Sequence, residues 1–350
     1  DYIRLAWAEE VTGPWHLHNV GPDVERDERG ILCMDVRGSN GKEADSLDNF
    51  VTDPTGYPGG SAVNVFSHIA SPKVIYEDPK PGELYGRVLL YFHGKCDGAV
   101  PANQWTLMAV DDPNDPDYSF GLNFTGSGAL RHKKVKPYIL GANYIAPWKY
   151  TYSDDVNQDF KDMGHGLSRY YGFDNASRVC WTPNMDEPWL EGGWSGGESW
   201  SKKGGKTPLE DQLGSTEGIR HTKTTFLDEH RVMVTFSRVG GIPERAYYSI
   251  IDMRDGADGS GKDGRYPYYE WAPLEHKELL RAEYGWEGGQ YPDEKSDGGG
   301  APDHADQIRD PGIFRDTIDA DDDGELDLYI VYSGQGELSG IGLAKLVWQD

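Results

Sequence analysis

The sequence predicts an all-β fold, and three observations support this prediction. The 350 residues include 45 Gly and 21 Pro, and 12% are aromatic, which is typical of short strands joined by tight turns. Helical periodicity is nearly absent, and only residues 274–285 (LEHKELLRAEYG) form a plausible short helix. Apolar runs with the two-residue period of a strand recur along the chain, as in residues 328–332. We therefore expect one large β domain over residues 1–350 rather than several small domains.

A repeated pattern of polar and apolar segments predicts how the strands are arranged. Each unit has a polar cluster, an apolar strand, a turn, a second strand that ends in an aromatic residue, Ser or His, and Gly, and then a third strand. Repetition of this kind favours a radial architecture, and five blades of about four strands fit this length. We predict a five-bladed β-propeller with long Gly-, Asp- and Trp-rich loops. Its units are residues 1–62 together with the C-terminal strands, 68–124, 131–193, 217–280 and 307–350. If the N-terminal strands complete the last blade, no sheet edge is left open.

Charge and cysteine content limit the classes of partner. The net charge of −25 argues against a nucleic-acid partner. No run of 18 apolar residues is present, so we expect no membrane partner. Cys33, Cys96 and Cys180 are odd in number and lack CxxC spacing, which argues against a disulfide framework and a thiolate zinc site. The chain begins at Asp1, and we expect a secreted or periplasmic protein whose signal peptide has been removed. We expect a monomer or simple homo-oligomer without an organic cofactor.

Polar residues before or within the first strand of each unit are the candidate site residues. In a propeller these strands line the axis, so their leading side chains face a shared funnel. A histidine there acts as a general base, a metal ligand or a hydrogen-bonded structural group, and no HExxH spacing supports zinc. Taken by unit, the candidates are His68 and Ser71; Asn143 and Tyr144; Arg220, His221 and Lys223; and Arg309 and Asp310. We interpret His68 and His221 as occupying equivalent blade positions.

The segment that starts at Arg309-Asp310-Pro311 is the strongest functional clue. It is followed by a short apolar strand, a turn and the strand DLYIVYSG (residues 327–334). This pattern resembles a propeller blade of the furanosidase-type glycoside hydrolases, families such as 32, 43, 68 and 117. The resemblance implies that Asp310 lies at the bottom of the central funnel, as a catalytic base or as a carboxylate that stabilises positive charge on the sugar ring. The alternative is an Asp that caps the strand through backbone N–H groups.

A second carboxylate is suggested by Glu217 in the segment TEGIRHTK. It resembles the EGP element that carries the general acid in family 43 enzymes, although Ile219 replaces the Pro. A general acid requires a raised pKa, which burial in the funnel would supply. The alternative is a surface Glu in a loop. The sequence also departs from the family pattern of one carboxylate on each of three blades, because Ser71 and Lys73 stand where an Asp is expected.

These residues predict cleavage of glycosidic bonds in an oligo- or polysaccharide by hydrolysis. Arg220, Lys223 and Arg309 predict a cationic funnel, which favours an acidic sugar such as a uronate. One alternative is a polysaccharide lyase that uses His68 or His221 with Tyr144 for β-elimination. Another is a carbohydrate-binding propeller without catalysis. The predicted substrate-binding residues are Arg309, Arg220, Lys223, Asn143, Tyr144 and Trp194, the last in a Gly-rich loop that is able to cover the funnel.

An acidic turn predicts a structural calcium ion. Carboxylates on a Gly-bearing turn supply the oxygen ligands that calcium prefers, and the pattern DxDxDGxxD resembles the calcium-binding hairpin loops of integrin-type propellers. An EF-hand is excluded because Ile330 occupies the twelfth position and no helix follows. The alternative is a solvated acidic hairpin. The predicted ligands are Asp319, Asp321, Asp323 and Asp327.

Overall fold

A computed structural model describes the protein in two compact units, Asp1–Ile145 with Asn184–Leu190, and Ala146–Pro183 with Glu191–Asp350. No helix in the described parts of these units is long and apolar enough to cross a membrane. The described residues are 2–3, 5–17, 32–33, 46–47, 65–96, 103–114, 133–134, 146–151, 168–173, 179–182, 190–191, 219–228, 231–238, 241, 243–252, 273–289, 307–316, 324, 326–334 and 340–347.

The first unit is built around a five-stranded antiparallel sheet in the order β5-β6-β7-β8-β9. Its three long strands, β6, β7 and β8, lie where the sequence of residues 68–124 predicts strands. The apolar runs there are bounded by turn residues, which is the pattern of a strand. Two further pairs, β1 with β4 and β2 with β3, involve the N-terminal strands. The strands are β1 (Tyr2–Ile3), β2 (Ala6–Trp7), β3 (His16–Leu17), β4 (Leu32–Cys33), β5 (Ser46–Leu47), β6 (Val65–Glu77), β7 (Arg87–Cys96), β8 (Asn103–Asp111) and β9 (Lys133–Lys134).

The described part of the second unit contains three sheets, with strand orders β10-β11-β12-β13, β14-β15-β16-β17 and β18-β19-β20; Leu190 of β13 belongs to the first unit. Each sheet follows chain order, so every connection joins neighbouring strands. The strands are β10 (Ala146–Thr151), β11 (Ser168–Phe173), β12 (Val179–Thr182), β13 (Leu190–Glu191), β14 (Ile219–Phe226), β15 (Arg231–Arg238), β16 (Ala246–Asp252), β17 (Lys277–Leu280), β18 (Ile308–Arg315), β19 (Leu328–Gly334) and β20 (Gly340–Leu346).

The helix predicted over residues 274–285 is wrong. Lys277–Leu280 forms β17 and pairs with β16, and the described helical structure nearby is a single 3-10 turn at Gly285–Glu287. Short helices are marginal by themselves, so the hydrogen bonds that the neighbouring strand offers outweigh the local helical pattern.

Successive first strands in the second unit pack against each other, β10 against β14 and β14 against β18. Strand β15 is buried from Val232 to Ser237, as expected of a strand covered on both faces. Between the last two sheets lies an apolar cluster formed by Ala246, Ala282, Ile308, Ile330 and Tyr332. The all-β prediction is confirmed in the described residues, while the closed five-bladed ring stays a prediction.

Strands β6, β14 and β18 carry the same irregularity in their pairing. In β14, Arg220 pairs with Ser237 but Lys223 pairs with Thr235, so the first strand holds one extra residue, which is a β-bulge. Strand β18 likewise holds one extra residue between Arg309 and Gly312. Strand β6 holds one extra residue between Ala70 and Lys73.

This register corrects one sequence-based equivalence. The residue that follows the last regular pair before the bulge is His221 in β14, Asp310 in β18 and Ser71 in β6. His221 is therefore equivalent to Ser71 rather than to His68. A bulge interrupts the regular pairing of a strand with its neighbour. It therefore distinguishes these three positions from the other residues of their strands.

We expect the substitution Gly342→Ala to destabilise the last sheet. Gly342 pairs with Tyr332, and a Cβ atom at position 342 would overlap the Tyr332 ring. Displacing the ring would also break the 2.6 Å hydrogen bond from the Tyr332 hydroxyl to Glu287 Oε1. Overpacking of this kind costs about 1–3 kcal/mol, which urea denaturation measures.

Gly312→Ala is the matched control for this substitution, because the nearest described atom would be Val331 O at 3.7 Å from the added Cβ atom. Equal loss of stability in the two variants would contradict the packing that the structure assigns to Gly342.

Candidate functional site

Two polar residues at the bulges have a left-handed backbone conformation. The φ angle is 57° at His221 and 51° at Asp310. Few non-glycine residues adopt this conformation, although Asp and His do so more often than most. Strained conformations of this kind gather at functional sites. Their presence at equivalent positions of two adjacent first strands marks this place as the candidate site.

The two bulges bring His221 and Asp310 into contact. Nε2 of His221 lies 3.7 Å from Oδ1 of Asp310, and the backbone N–H of Asp310 donates to Nδ1 of His221 over 3.5 Å. The His221 side chain is 7% exposed, whereas that of Asp310 is 44% exposed. Asp310 is therefore the member of the pair that an external molecule reaches more easily, and His221 supports it from the protein side.

Each bulged residue also contacts a serine on the second strand of its own sheet. Ser237, which pairs with Arg220, places its hydroxyl oxygen 3.3 Å from Nδ1 of His221. Ser333, which pairs with Arg309, donates to Oδ2 of Asp310 over 3.4 Å. The same local arrangement thus occurs in two consecutive sheets. Its sequence signal is the repeated Ile-Arg followed by His221 or Asp310.

Threonine hydroxyls anchor the residues that follow the bulges to neighbouring sheets. Thr235 of β15 donates to the carbonyl of Pro311 over 2.9 Å. Thr222 of β14 donates to the carbonyl of Phe173 over 3.4 Å. Both threonines are fully buried. Thr222 and Pro311 each follow a bulged residue and bind a neighbouring sheet. Both bulges are therefore held by contacts between sheets as well as within them.

Glu244, in the connection between β15 and β16, joins the two bulges and is fully buried. Arg220 donates to it through both Nε, over 2.8 Å, and Nη2. Arg309 donates through Nε over 3.2 Å, and Ser237 donates through its hydroxyl over 2.8 Å. The Glu244 carbonyl also accepts the backbone N–H of Ile308 over 3.0 Å. Sequence reasoning missed Glu244, because its partners are distant in the chain.

The electrostatics of this cluster favour an ionised Glu244. Burial by itself raises the pKa of a carboxyl group, but hydrogen bonds and charge from Arg220, the charge of Arg309 and the Ser237 hydrogen bond outweigh it, so the pKa of Glu244 is lowered. Burial lowers the pKa of the Arg309 guanidinium, and Glu244 opposes that shift. With Asp310 ionised, the positive charges of Arg220 and Arg309 balance the negative charges of Glu244 and Asp310.

Both predicted substrate-binding arginines form ion pairs with Glu244. Arg220 is 6% exposed and Arg309 9% exposed, and both are bound to Glu244 rather than directed as a pair toward a ligand. A buried carboxylate between them cancels much of the positive potential on which the uronate prediction depended. Arg309 keeps a buried Nη2 group that makes no hydrogen bond within the described residues. Substrate binding by Arg220, by Arg309 and by the half-buried Lys223 stays a prediction.

Several predicted site residues lie outside the described residues, so their proximity to Asp310 stays a prediction. His68 lies in β6, with its side chain outside the description. The others are Glu217, Asn143, Tyr144 and Trp194, together with the predicted calcium ligands Asp319, Asp321 and Asp323.

The fourth predicted calcium ligand, Asp327, is engaged with protein groups. Its Oδ1 lies 2.6 Å from Nζ of Lys345, and its Oδ2 accepts a 3.4 Å hydrogen bond from the Tyr329 hydroxyl. Asp327 is 6% exposed. In the described ranges no three His, Cys, Asp or Glu side chains gather to hold a metal ion. The calcium site stays a prediction, with Asp327 already paired to a lysine.

Comparison with known proteins gives little help with this site. No family model matches the chain, and no curated protein matches it. Among solved structures it is similar to a glycosyl hydrolase from Bacteroides ovatus, with 10% sequence identity and a TM-score of 0.40. The match covers 79% of this chain and 64% of that protein, so this chain spans less than two thirds of its length. A likeness of this size does not establish a common fold.

We expect Glu244→Gln to destabilise the protein by about 3–5 kcal/mol near neutral pH, because two guanidinium groups lose their buried counter-charge. The pKa of Glu244 is lowered from its ordinary value of 4.5, so its ionisation stabilises the folded state fully above that pH. The contribution is lost as the pH falls below 4.5 toward the pKa of the folded state. Chemical denaturation of the wild type and the variant should therefore give a stability difference that narrows on acidification.

Glu278→Gln is the matched control, because Glu278 pairs with Arg245 and Arg281 while its side chain is 27% exposed. Exposed ion pairs contribute roughly 0–1 kcal/mol. A Glu244→Gln variant no less stable than this control at neutral pH would contradict the role assigned to Glu244.

Proposed function

We propose that the protein is an enzyme that cleaves glycosidic bonds of an oligo- or polysaccharide by hydrolysis, with Asp310 as the carboxylate that meets the reacting sugar. The observation that carries this proposal is the left-handed conformation of Asp310 at a bulge, where a partly exposed carboxylate contacts a buried histidine. A fixed carboxylate stabilises the positive charge that develops on the sugar ring in glycoside hydrolysis.

The surroundings of Asp310 suit this role. Ser333 and His221 contact its two carboxylate oxygens from the protein side, and Arg309, the preceding residue in the chain, is fixed by Glu244. A carboxylate held in one orientation needs little reorganisation during the reaction, which is the main source of electrostatic catalysis. The segment Arg309-Asp310-Pro311 also resembles the furanosidase-type hydrolases at this position. Glu217 is proposed as the general acid only because the segment TEGIRHTK resembles the EGP element of family 43 enzymes.

The lyase alternative has less support. β-Elimination from a uronate requires a cation that neutralises the substrate carboxylate, and both arginines at this site already donate to Glu244. Binding without catalysis is the remaining alternative, and kinetics distinguishes it. A panel of neutral and uronate-containing oligosaccharides, with analysis of the products, tests all three functions together.

We expect Asp310→Asn to lower kcat by roughly 10²–10³-fold on any glycan that the wild type hydrolyses, because the amide removes the stabilising charge. Asn tolerates a left-handed backbone, so the thermal melting temperature should change little. Initial rates with reducing-sugar detection measure the effect.

Asp228→Asn is the control, because Asp228 caps the β14–β15 turn through Arg231 and lies at the opposite end of β14 from His221. Unsaturated products from the wild type would indicate a lyase. Glycan binding without turnover, unaltered in Asp310→Asn, would indicate a binding protein. Either result would contradict the proposal.

A further inference from the structure

We propose that Asp310 fixes the tautomer of His221 through its own backbone N–H, so that neutral His221 carries its proton on Nε2 and donates toward the Asp310 carboxylate. His221 is then a positioning residue that acts through Asp310, rather than the acid or base that its sequence pattern suggests. That part of the inference rests on the proposed function, whereas the tautomer itself does not.

Among the described residues, two groups lie within hydrogen-bond range of Nδ1 of His221. The backbone N–H of Asp310 donates to it over 3.5 Å, and the Ser237 hydroxyl oxygen lies 3.3 Å away. A backbone N–H cannot rotate, so a hydrogen on Nδ1 would point against it. A serine hydroxyl rotates freely, and Ser237 has a better acceptor, the ionised Glu244 carboxylate at 2.8 Å. Nδ1 is therefore the acceptor, and Ser237 directs its proton elsewhere.

The other ring nitrogen of His221, Nε2, faces the Asp310 carboxylate. A neutral imidazole with an unprotonated Nδ1 has its proton on Nε2, and that nitrogen lies 3.7 Å from Oδ1 of Asp310. The distance is longer than a direct hydrogen bond, but the N–H dipole still stabilises the ionised carboxylate. Asp310 thus contacts both ring nitrogens of His221, one through its backbone and the other through its side chain.

The left-handed backbone of Asp310 allows both contacts with His221. At a φ of 51° the bulge directs the N–H of residue 310 and its carboxylate to the same neighbouring ring. Glu244 stabilises this arrangement from both sides, because it holds Ser237 next to His221 and Arg309 next to Asp310. Among the described residues, the ion pairs of this cluster involve His221, Asp310, Glu244, Arg220 and Arg309.

Burial assigns the two residues different roles. The His221 side chain is 7% exposed and that of Asp310 is 44% exposed, so a sugar reaches the carboxylate more easily than the imidazole. A neutral donor behind a carboxylate keeps it oriented without introducing a second full charge. This is the function that we assign to His221.

The tautomer is tested by ¹⁵N NMR of the full chain with labelled histidine. The chain has ten histidines, and comparison with His221→Asn, a residue that also tolerates the left-handed backbone, assigns the His221 signals. At the alkaline end of a pH titration we expect Nδ1 to have the shift of an unprotonated nitrogen and Nε2 that of an N–H nitrogen. Ser237→Ala should leave this pattern unchanged, because Ser237 is not the group that fixes it.

A protonated Nδ1 in the neutral wild type, or a change of tautomer in Ser237→Ala, would overturn the inference and would show that Ser237 accepts from the ring. This result is independent of activity, so it is separate from a failure of the proposed hydrolysis. If a glycan is cleaved, His221→Asn should lower kcat by roughly 10- to 100-fold, the effect of losing a hydrogen bond to a charged group, and leave KM nearly unchanged. A large rise in KM at constant kcat would instead place His221 in substrate binding.

Discussion

The second unit depends on one buried charge, the carboxylate of Glu244. Removing an ion from water costs several kcal/mol unless partners of opposite charge compensate for it. Here the partners are Arg220 and Arg309, which come from the first strands of two different sheets. Because both guanidinium groups must reach the same carboxylate, β14 and β18 are held with their bulges next to each other. The proximity of His221 and Asp310 follows from that constraint.

The same constraint accounts for the strained backbone. A non-glycine residue in the left-handed region costs of the order of 1–3 kcal/mol, and the cluster has two of them. The hydrogen bonds to Glu244 and the threonine contacts with Pro311 and Phe173 offset this cost by fixing the chain on both sides of each bulge. The strain has a chemical consequence, since it turns the Asp310 backbone and carboxylate toward one histidine.

Much of the fold was predictable from the sequence, because strand alternation is a local property. β18, β19 and β20 lie where the apolar runs of residues 307–350 predict them, and the same holds for β14 to β16. The exception, residues 274–285, shows the limit of local patterns. Its residues support a short helix, but Lys277–Leu280 lies beside β16 and completes the sheet instead.

The site was only partly predictable. Polar residues in first strands correctly indicated that His221 and Asp310 lie together, because first strands of adjacent sheets pack against each other. The ion pairs of Arg220 and Arg309 with Glu244 were not predicted, since a sequence does not reveal which charge neutralises another. Glu244 was missed for the same reason. It lies 24 residues from Arg220 and 65 residues from Arg309, and such long-range ion pairs leave no local signature.

We propose that the substrate reacts at Asp310, which is held by His221 and the Glu244 cluster. The most direct measurement is a crystal structure of an Asp310→Asn variant soaked with an oligosaccharide that the wild type degrades. We expect a sugar ring whose anomeric carbon is in contact with the side chain of residue 310, with His221 behind that side chain. An oligosaccharide bound in a productive groove away from residue 310 would contradict it.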